Sequence, residues 1–162
     1  MMVDKRKFKD INVSLLGLGT MRLPCETEEK RESNPNIDYD KAQSLVDLAY
    51  KNGVNYFDTA YMYHCGKSEA FIGYALKKYP RDTYFIADKL PIWVCDTKED
   101  MKRVFDEQLE RTGMDYFDFY LLHNLGEGRT KFFDDFDLWS WAQEKKAESS
   151  FGLKTAFSTL KD

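Results

Sequence analysis

The chain has 162 residues, about the size of one ordinary domain and enough to bury a core. Its 43% hydrophobic and 15% aromatic content excludes a disordered chain, which would be poorer in aromatic residues and carry a larger excess of charge. Lys and Arg number 24 against 28 Asp and Glu, so the net charge is only −4, and no basic block stands out. We therefore expect no nucleic-acid partner.

The cysteines and the N-terminus exclude further classes. Cys25, Cys65 and Cys95 are odd in number, form no C-x-x-C pair and have only two histidines to help them. They predict neither a disulfide framework nor a zinc site, so we expect no metal. The short apolar run from Val13 to Leu18 is too short for a signal peptide or a membrane span. The expectation is a cytoplasmic protein with no membrane partner.

The first third of the chain predicts a hairpin, a strand, a loop and a helix. Phe8 to Leu18 alternates loosely, which predicts a short hairpin followed by a barrel-type strand. Residues 25–37 are polar and predict a loop. Asp38 can cap a helix that ends before Gly53 and has apolar residues at i, i+3, i+4 and i+7. These apolar residues are Ala42, Leu45, Val46 and Ala49.

Two more helices are predicted downstream. Ser68 opens the first, and Pro80 stops it. Thr97 and Asp100 form the N-cap pair of the second, which Gly113 terminates. The residues expected to face the core are Ile72, Ala75, Leu76, Tyr79, Met101, Val104, Phe105 and Leu109.

Three apolar strands alternate with these helices. They are Val54–Phe57, Tyr84–Ala87 and Tyr116–Leu122. Such strands, separated by amphipathic helices, are typical of a parallel sheet covered by helices. Asp58, Lys89 and His123 follow the three strands at intervals of about one βα unit. In a parallel barrel all strand ends form one rim, so these side chains should meet.

The stretch VNYFDTAYMYHCGKSE, residues 54–69, adds Tyr63 to this rim. Reduction of a carbonyl group leaves negative charge on its oxygen, so a proton donor must stand within hydrogen-bond reach. A free tyrosine is a weak acid near neutrality, but an ammonium beside it favours the phenolate, and a carboxylate holds that ammonium in place. Tyr63, Lys89 and Asp58 can supply these three parts. His123 can orient the substrate oxygen or relay the proton.

Four segments resemble the aldo-keto reductases: LGLGTMRLP, FDTAYMYHCGKSE, DKLPIWV and DFYLLHNL. They are most similar to the branch whose longer members can carry a C-terminal ferredoxin-like iron–sulfur domain, although no cluster-binding cysteine motif is present. The resemblance covers about residues 10–148. It implies a (β/α)8 TIM barrel and NADP(H)-dependent reduction of an aldehyde or ketone to an alcohol. Cys65 stands where the family leads us to expect a second small residue.

The resemblance also implies roles for single residues. The implied catalytic tetrad is Asp58, Tyr63, Lys89 and His123. Asp58 and Asn124 are expected to contact the cofactor. Trp93 follows Lys89 closely enough to line a substrate pocket. His64 is interpreted as structural or substrate-facing rather than as a metal ligand.

The length limits how much of a barrel can form. A complete (β/α)8 barrel takes about 250 residues. We therefore predict an α/β fold of the partial TIM-barrel type, with an N-terminal hairpin and about four to five βα units in one incomplete domain, 1–162. Residues 151–162 only hint at a fifth strand. The loops after strands seven and eight, where dinucleotide phosphates usually bind, are not among these residues. Open barrel edges and an uncovered inner face predict self-association.

Two other hypotheses stay open beside the reductase. The small number of strands favours a catalytically inactive half-barrel that binds a partner or has no role. A barrel hydrolase that uses His123 and Asp58 on a metal is the third, which the lack of clustered histidines and carboxylates disfavours. Specificity in this fold comes from later loops, so a small carbonyl substrate is expected but not identified.

Overall fold

The computed structural model describes residues 2–27, 34–124, 126, 128 and 130–148. Six strands and five helices lie within them. In chain order they are β1 (Lys5–Phe8), β2 (Ile11–Ser14), β3 (Leu18–Gly19), α1 (Tyr39–Lys51), β4 (Tyr56–Asp58), α2 (Ser68–Leu76), β5 (Phe85–Leu90), α3 (Lys98–Thr112), β6 (Phe119–Leu122), α4 (Phe132–Asp135) and α5 (Leu138–Glu148). The hint of a fifth barrel strand at 151–162 lies outside the described residues.

The strands form a hairpin and a parallel sheet. β1 and β2 pair antiparallel, and β3 to β6 pair in parallel in the order β3-β4-β5-β6. Strands that follow each other in sequence are therefore neighbours in space, as in a (β/α) barrel. Asp58 pairs with Ala87, and Lys89 pairs with Leu121, so the carboxyl ends of β4, β5 and β6 lie along one edge. The predicted α/β fold with a partial barrel is confirmed.

The main core lies between the sheet and the helices. Phe57 of β4, Ile86 of β5 and Tyr120 of β6 point toward the helix layer and are fully buried. Each side chain of this size stabilises the fold by roughly 1.5–3 kcal/mol through burial. The helices contribute the buried residues Ala42, Val46, Ile72, Ala75, Leu76, Met101 and Val104.

The other face of the sheet corresponds to the inside of a barrel. Ala87 and Phe119 form its centre, and Ile11 of the hairpin packs on them. Asn55, just before β4, donates to the carbonyl of Asn12 at 2.9 Å. The hairpin is thus tied to the amino ends of the strands, and the edge with the carboxyl ends is left open.

The predicted caps of α1 and α3 are confirmed. Asp38 accepts a hydrogen bond from the backbone N–H of Lys41 at 3.1 Å. Thr97 and Asp100 form a reciprocal capping box at the start of α3. Gly113 ends α3 with φ 63°, the left-handed conformation that favours glycine.

Several element boundaries differ from the prediction. Leu45 is 37% exposed, because it lies on the flank of α1 opposite to α2. α2 ends at Leu76, before Pro80, since the chain enters a turn there. β6 begins at Phe119 rather than at Tyr116. None of the helices in the described part of the chain has the length and apolar character that crossing a bilayer requires.

Candidate active site

The open edge brings the four predicted tetrad residues together. Asp58 ends β4, Lys89 lies near the end of β5, and His123 directly follows β6. Tyr63 begins the short 3-10 turn Tyr63–Gly66, five residues after Asp58. Parallel pairing of neighbouring strands therefore places residues up to 65 positions apart in one cluster.

Lys89 lies at the centre of the cluster. Its Nζ donates to Asp58 Oδ1 and to the Thr59 carbonyl, both at 2.6 Å. The same ammonium lies 3.3 Å from Tyr63 Oη. The Lys89 side chain is only 12% exposed, so water screens these contacts weakly. Because an ammonium can only donate, the Tyr63 oxygen accepts from it, and its own O–H remains available to a further acceptor.

Burial and the neighbouring charge shift the pKa of Asp58 in opposite directions. Burial raises the pKa of this carboxyl group, and the Lys89 ammonium counteracts the rise. Burial, together with the Asp58 charge, also raises the pKa of Tyr56, on the inner face of β4, to about 12. Tyr56 is therefore a poorer acid than a free tyrosine.

Two aromatic rings hold His123 at the edge. The His123 ring lies edge-to-face with Tyr63, with 5.9 Å between ring centroids. Trp93 lies 5.0 Å from the other side, and its Nε1 donates to Met62 Sδ at 3.3 Å. Trp93 thus forms a half-buried wall beside the tetrad, where a substrate-lining role stays a prediction. Asn124 is exposed at the same edge with φ 52°, a conformation that Asn tolerates, and its contact with a cofactor also stays a prediction.

The expected contact of His64 with substrate is wrong. The side chain is fully buried. Its Nε2 accepts from the backbone N–H of Leu23 at 3.1 Å, so Nδ1 carries the proton and donates to the Asn34 carbonyl at 2.7 Å. Cys25 Sγ lies 3.7 Å from the same Nδ1. His64 therefore fastens the long loop after β3 and has the structural role that was the other interpretation.

His64 and Cys65 sit in an unusual stretch of backbone. His64, Cys65 and Gly66 have φ of 52°, 54° and 82°, three left-handed residues in a row. The conformation costs a residue with a Cβ roughly 1–2 kcal/mol. This explains why a small residue was expected at Cys65. The buried hydrogen bonds of His64 offset part of that cost and keep Tyr63 directed at Lys89.

Three buried hydroxyl groups beneath the site were missed. Ser68 Oγ lies 2.6 Å from Thr20 Oγ1 and 3.0 Å from Thr59 Oγ1. Thr20 Oγ1 in turn donates to the Asp58 carbonyl at 2.9 Å. Ser68 is predicted to cap α2, but its hydroxyl binds the hydroxyl groups of Thr20 and Thr59 instead. Lys67 precedes the helix without a side-chain cap. The three hydroxyls tie together the ends of β3, β4 and α2.

A buried polar cluster behind Lys89 was also missed. Asp88, Glu69 and Gln108 are fully buried although two are carboxyl groups. One signal was present in the sequence, because Asp88 lies between Ile86 and Leu90 on the face of β5 that packs against the helices. A carboxyl group in an apolar strand face is rare unless it is paired.

Among the described residues, no three His, Cys, Asp or Glu side chains are grouped so that they could hold a metal ion. Asp58, the carboxylate of the hydrolase hypothesis, is instead engaged by an ammonium at 2.6 Å.

The fold and the site together are those of a partial (β/α) barrel with Tyr63, Lys89, Asp58 and His123 gathered at the carboxyl ends of its strands. The sequence pattern of the Aldo/keto reductase family matches residues 15–144, and the chain belongs to this family.

Individual relatives agree with this assignment. The chain is 31% identical over 132 residues to the NADH-specific methylglyoxal reductase of Escherichia coli, covering 70% of this chain and 39% of the relative. It is similar to the aldo-keto reductase AKR11C1 of Bacillus halodurans (TM-score 0.69, 29% identity), over 90% of this chain and 47% of that one. It is also similar to an aldo-keto reductase of Klebsiella pneumoniae in complex with NADPH (TM-score 0.59, 26% identity), over 83% and 47% of the two chains.

The chain spans between 38% and 39% of the length of the first three curated relatives it matches.

Proposed function

We propose that the chain carries the catalytic half of an NADP(H)-dependent reductase that converts a small aldehyde or ketone into an alcohol. One observation carries the proposal. The Lys89 ammonium contacts Asp58 at 2.6 Å and Tyr63 Oη at 3.3 Å, at the edge where the strands of a parallel barrel end.

Tyr63, Lys89 and Asp58 together supply the proton that the reaction consumes. A reduced nicotinamide, when bound, supplies the hydride that reaches the carbonyl carbon. Tyr63 Oη donates its proton to the carbonyl oxygen, so an alcohol forms and a phenolate stays behind. Lys89 already donates to Tyr63 Oη and therefore stabilises the phenolate. Asp58 accepts from Lys89 Nζ and keeps the ammonium in place.

The neighbouring rings orient the substrate. His123 lies edge-to-face with Tyr63, so a carbonyl oxygen that accepts from Tyr63 can also accept from the imidazole. Trp93, packed on His123, supplies an apolar wall that excludes water from the reacting carbonyl.

The edge also fits the reactive end of the cofactor. Asp58 is 27% exposed beside Tyr63, and Asn124, an exposed residue, follows His123. Carboxylate and amide groups are suitable partners for the amide of a nicotinamide. The Klebsiella relative is described in complex with NADPH, which favours NADP(H). The three cysteines are odd in number and form no C-x-x-C pair, which supports the cytoplasmic location we propose.

A chimera can test the proposal. Residues 1–148 of this chain would be continued by the second half of the Klebsiella barrel, which completes the sheet. This chimera should oxidise NADPH in the presence of methylglyoxal, the aldehyde in the name of the Escherichia coli relative. A chimera that binds NADPH but reduces no aldehyde or ketone would contradict the proposal.

The inactive half-barrel is the second candidate. Its support is the described sheet, in which four parallel strands form only part of a barrel. An inactive chimera with an intact NADPH site would support this candidate, because only the residues from this chain would then be at fault.

The 162-residue chain alone should bind NADPH weakly or not at all. The loops that follow strands seven and eight of a barrel, which usually hold the phosphates, are not among its residues. Nicotinamide fluorescence during titration measures the affinity, with the chimera as the control that binds. Micromolar affinity of the chain alone would contradict this expectation and require a pocket built by two copies.

The same chain should be dimeric or larger in solution. Tyr56, Phe85 and Leu121 are only half-buried on the inner face of the sheet. Within the described residues, no further strand pairs with the outer edges of β3 and β6. Light scattering should give more than the 19.1 kDa of one chain. Leu121→Asp should shift the distribution toward monomer. Leu48→Asp, on the exposed surface of α1, is the control and should not.

A well-folded monomer of the unmodified chain would contradict this expectation.

A further inference from the structure

The polar cluster behind Lys89 joins α2, α3, β5 and β6 through hydrogen bonds. Gln108 of α3 donates through Nε2 to Glu69 Oε1 of α2 at 2.9 Å, and its Oε1 accepts from Tyr120 of β6. Arg111, also on α3, donates to Glu69 Oε2 at 3.1 Å. Both oxygens of Glu69 therefore face donors, which is the environment of an ionised carboxylate.

The cluster also holds the main chain of Lys89. β4 ends at Asp58, and the next N–H, that of Thr59, donates to the Ala87 carbonyl. The N–H of Lys89 donates to Asp88 Oδ1 at 2.8 Å instead of to a strand. Its carbonyl accepts from Gln108 Nε2 at 3.1 Å. The buried side chains of Asp88 and Gln108 thus bind the main chain of Lys89 where a neighbouring strand would otherwise pair with it.

The remaining oxygen of Asp88 shows where a proton must lie. Asp88 Oδ2 is buried and accepts from no donor in the described part of the chain. The carboxyl group of Glu69, which is fully buried as well, is the neighbouring charge that acts on Asp88. Two buried carboxylates would repel each other, whereas a proton on Asp88 Oδ2 gives Glu69 a third donor. Burial first, and then the Glu69 charge, raise the pKa of Asp88 well above its ordinary value.

We propose that Asp88 is a protonated carboxyl group hydrogen-bonded to ionised Glu69, and that Asp88 and Gln108 are positioning residues that set the place of Lys89. The role of Lys89 rests on the function proposed above, whereas the shared proton does not. The charged or titratable groups that face this pair are Arg111 from α3, Tyr120 from β6 and Lys89 next to Asp88 on β5.

A first test uses the pH dependence of stability. The folded chain keeps a proton on Asp88 that the unfolded chain releases above about pH 4. Stability from this group is therefore complete below about pH 4 and is lost as pH rises toward the folded pKa, by up to about tenfold in the folded-to-unfolded ratio per pH unit. Urea unfolding should show this slope for the unmodified chain and for Asp106→Asn, a surface control on α3 that makes the same change of charge.

Asp88→Asn should lose that slope. The Asn amide reproduces the protonated form, since its oxygen accepts from Lys89 N–H and its NH₂ donates to Glu69. An equal slope in Asp88→Asn and in the unmodified chain would overturn the shared proton.

Infrared spectra give a second test that does not depend on how the variants unfold. At neutral pH the unmodified chain and Asp106→Asn should show a protonated-carboxyl C=O band, and Asp88→Asn should not. Absence of the band from the unmodified chain would overturn the proposal, as would its persistence in Asp88→Asn.

The positioning role is tested in the chimera. Asp88→Ala removes the acceptor of Lys89 N–H and should lower kcat by about tenfold, the scale of one hydrogen bond, with KM unchanged. Asp88→Asn should restore kcat. Equal activity of Asp88→Ala and the unmodified chimera would overturn the positioning role. An inactive chimera would instead count against the proposed function, and the infrared result would still decide the shared proton.

Discussion

Tyr63→Phe should lower kcat of the chimera by about 10²–10⁴-fold, the usual contribution of general acid catalysis. The substitution removes only the hydroxyl group. The ring that packs against His123 and lies under the Lys89 ammonium stays in place, with 4.8 Å between Nζ and the ring centroid. Affinity for NADPH should change little, because the cofactor phosphates bind elsewhere. Steady-state oxidation of NADPH measures kcat, and fluorescence titration measures the affinity.

Tyr61→Phe is the matched control. Tyr61 also follows β4, but its hydroxyl donates to Glu107 Oε2 at 2.8 Å, and the Arg111 guanidinium stacks on its ring at 4.1 Å. Loss of this hydroxyl should leave kcat close to that of the unmodified chimera. If Tyr63→Phe also kept normal turnover, the proton donor would have to be another residue, with His123 as the first candidate.

Gly73→Ala should lower the free energy of unfolding by about 2 kcal/mol, the upper end of the overpacking cost less the gain in helix propensity. A Cβ at this position of α2 would lie 2.0 Å from the backbone oxygen of Thr112 on α3. The two helices would have to move apart, and overpacking of this kind typically costs about 1–3 kcal/mol, occasionally more. The better helix propensity of Ala returns only about 1 kcal/mol. Urea denaturation of the chain measures the difference.

Gly19→Ala is the control for this substitution. Gly19 lies in β3, and no atom lies within 4 Å of the position that a Cβ would take. Its effect should stay within about 0.5 kcal/mol. A Gly73→Ala chain as stable as Gly19→Ala would show that α2 and α3 are not packed as closely as the structure has them.

Sequence reasoning succeeded where a local pattern determines the structure. The spacing of Asp58, Lys89 and His123 at one βα unit each was sufficient to place them on one edge, because parallel strands all end on the same side. The Thr97–Asp100 capping box and the Gly113 cap could be predicted for a similar reason, since a cap depends only on residues within one turn.

Prediction from the sequence failed where contacts with residues distant in sequence determine the position of a side chain. His64 is directed into the loop after β3 by Leu23 and Asn34, residues 41 and 30 positions away. Ser68 gives up its expected capping role for Thr20, 48 positions away. No local periodicity reveals these partners, since they depend on how β3 and the loop after it lie beside β4.

A double-mutant cycle on the chimera tests most directly whether Tyr63 and Lys89 act as one proton-donating unit. Tyr63→Phe and Lys89→Met should each reduce kcat by about 10²–10⁴-fold. If Lys89 acts only through the Tyr63 hydroxyl, which lies 3.3 Å from its Nζ, the double variant should be little slower than either single variant. Losses that multiply in the double variant would show that the two residues act independently, and would contradict the mechanism proposed for this site.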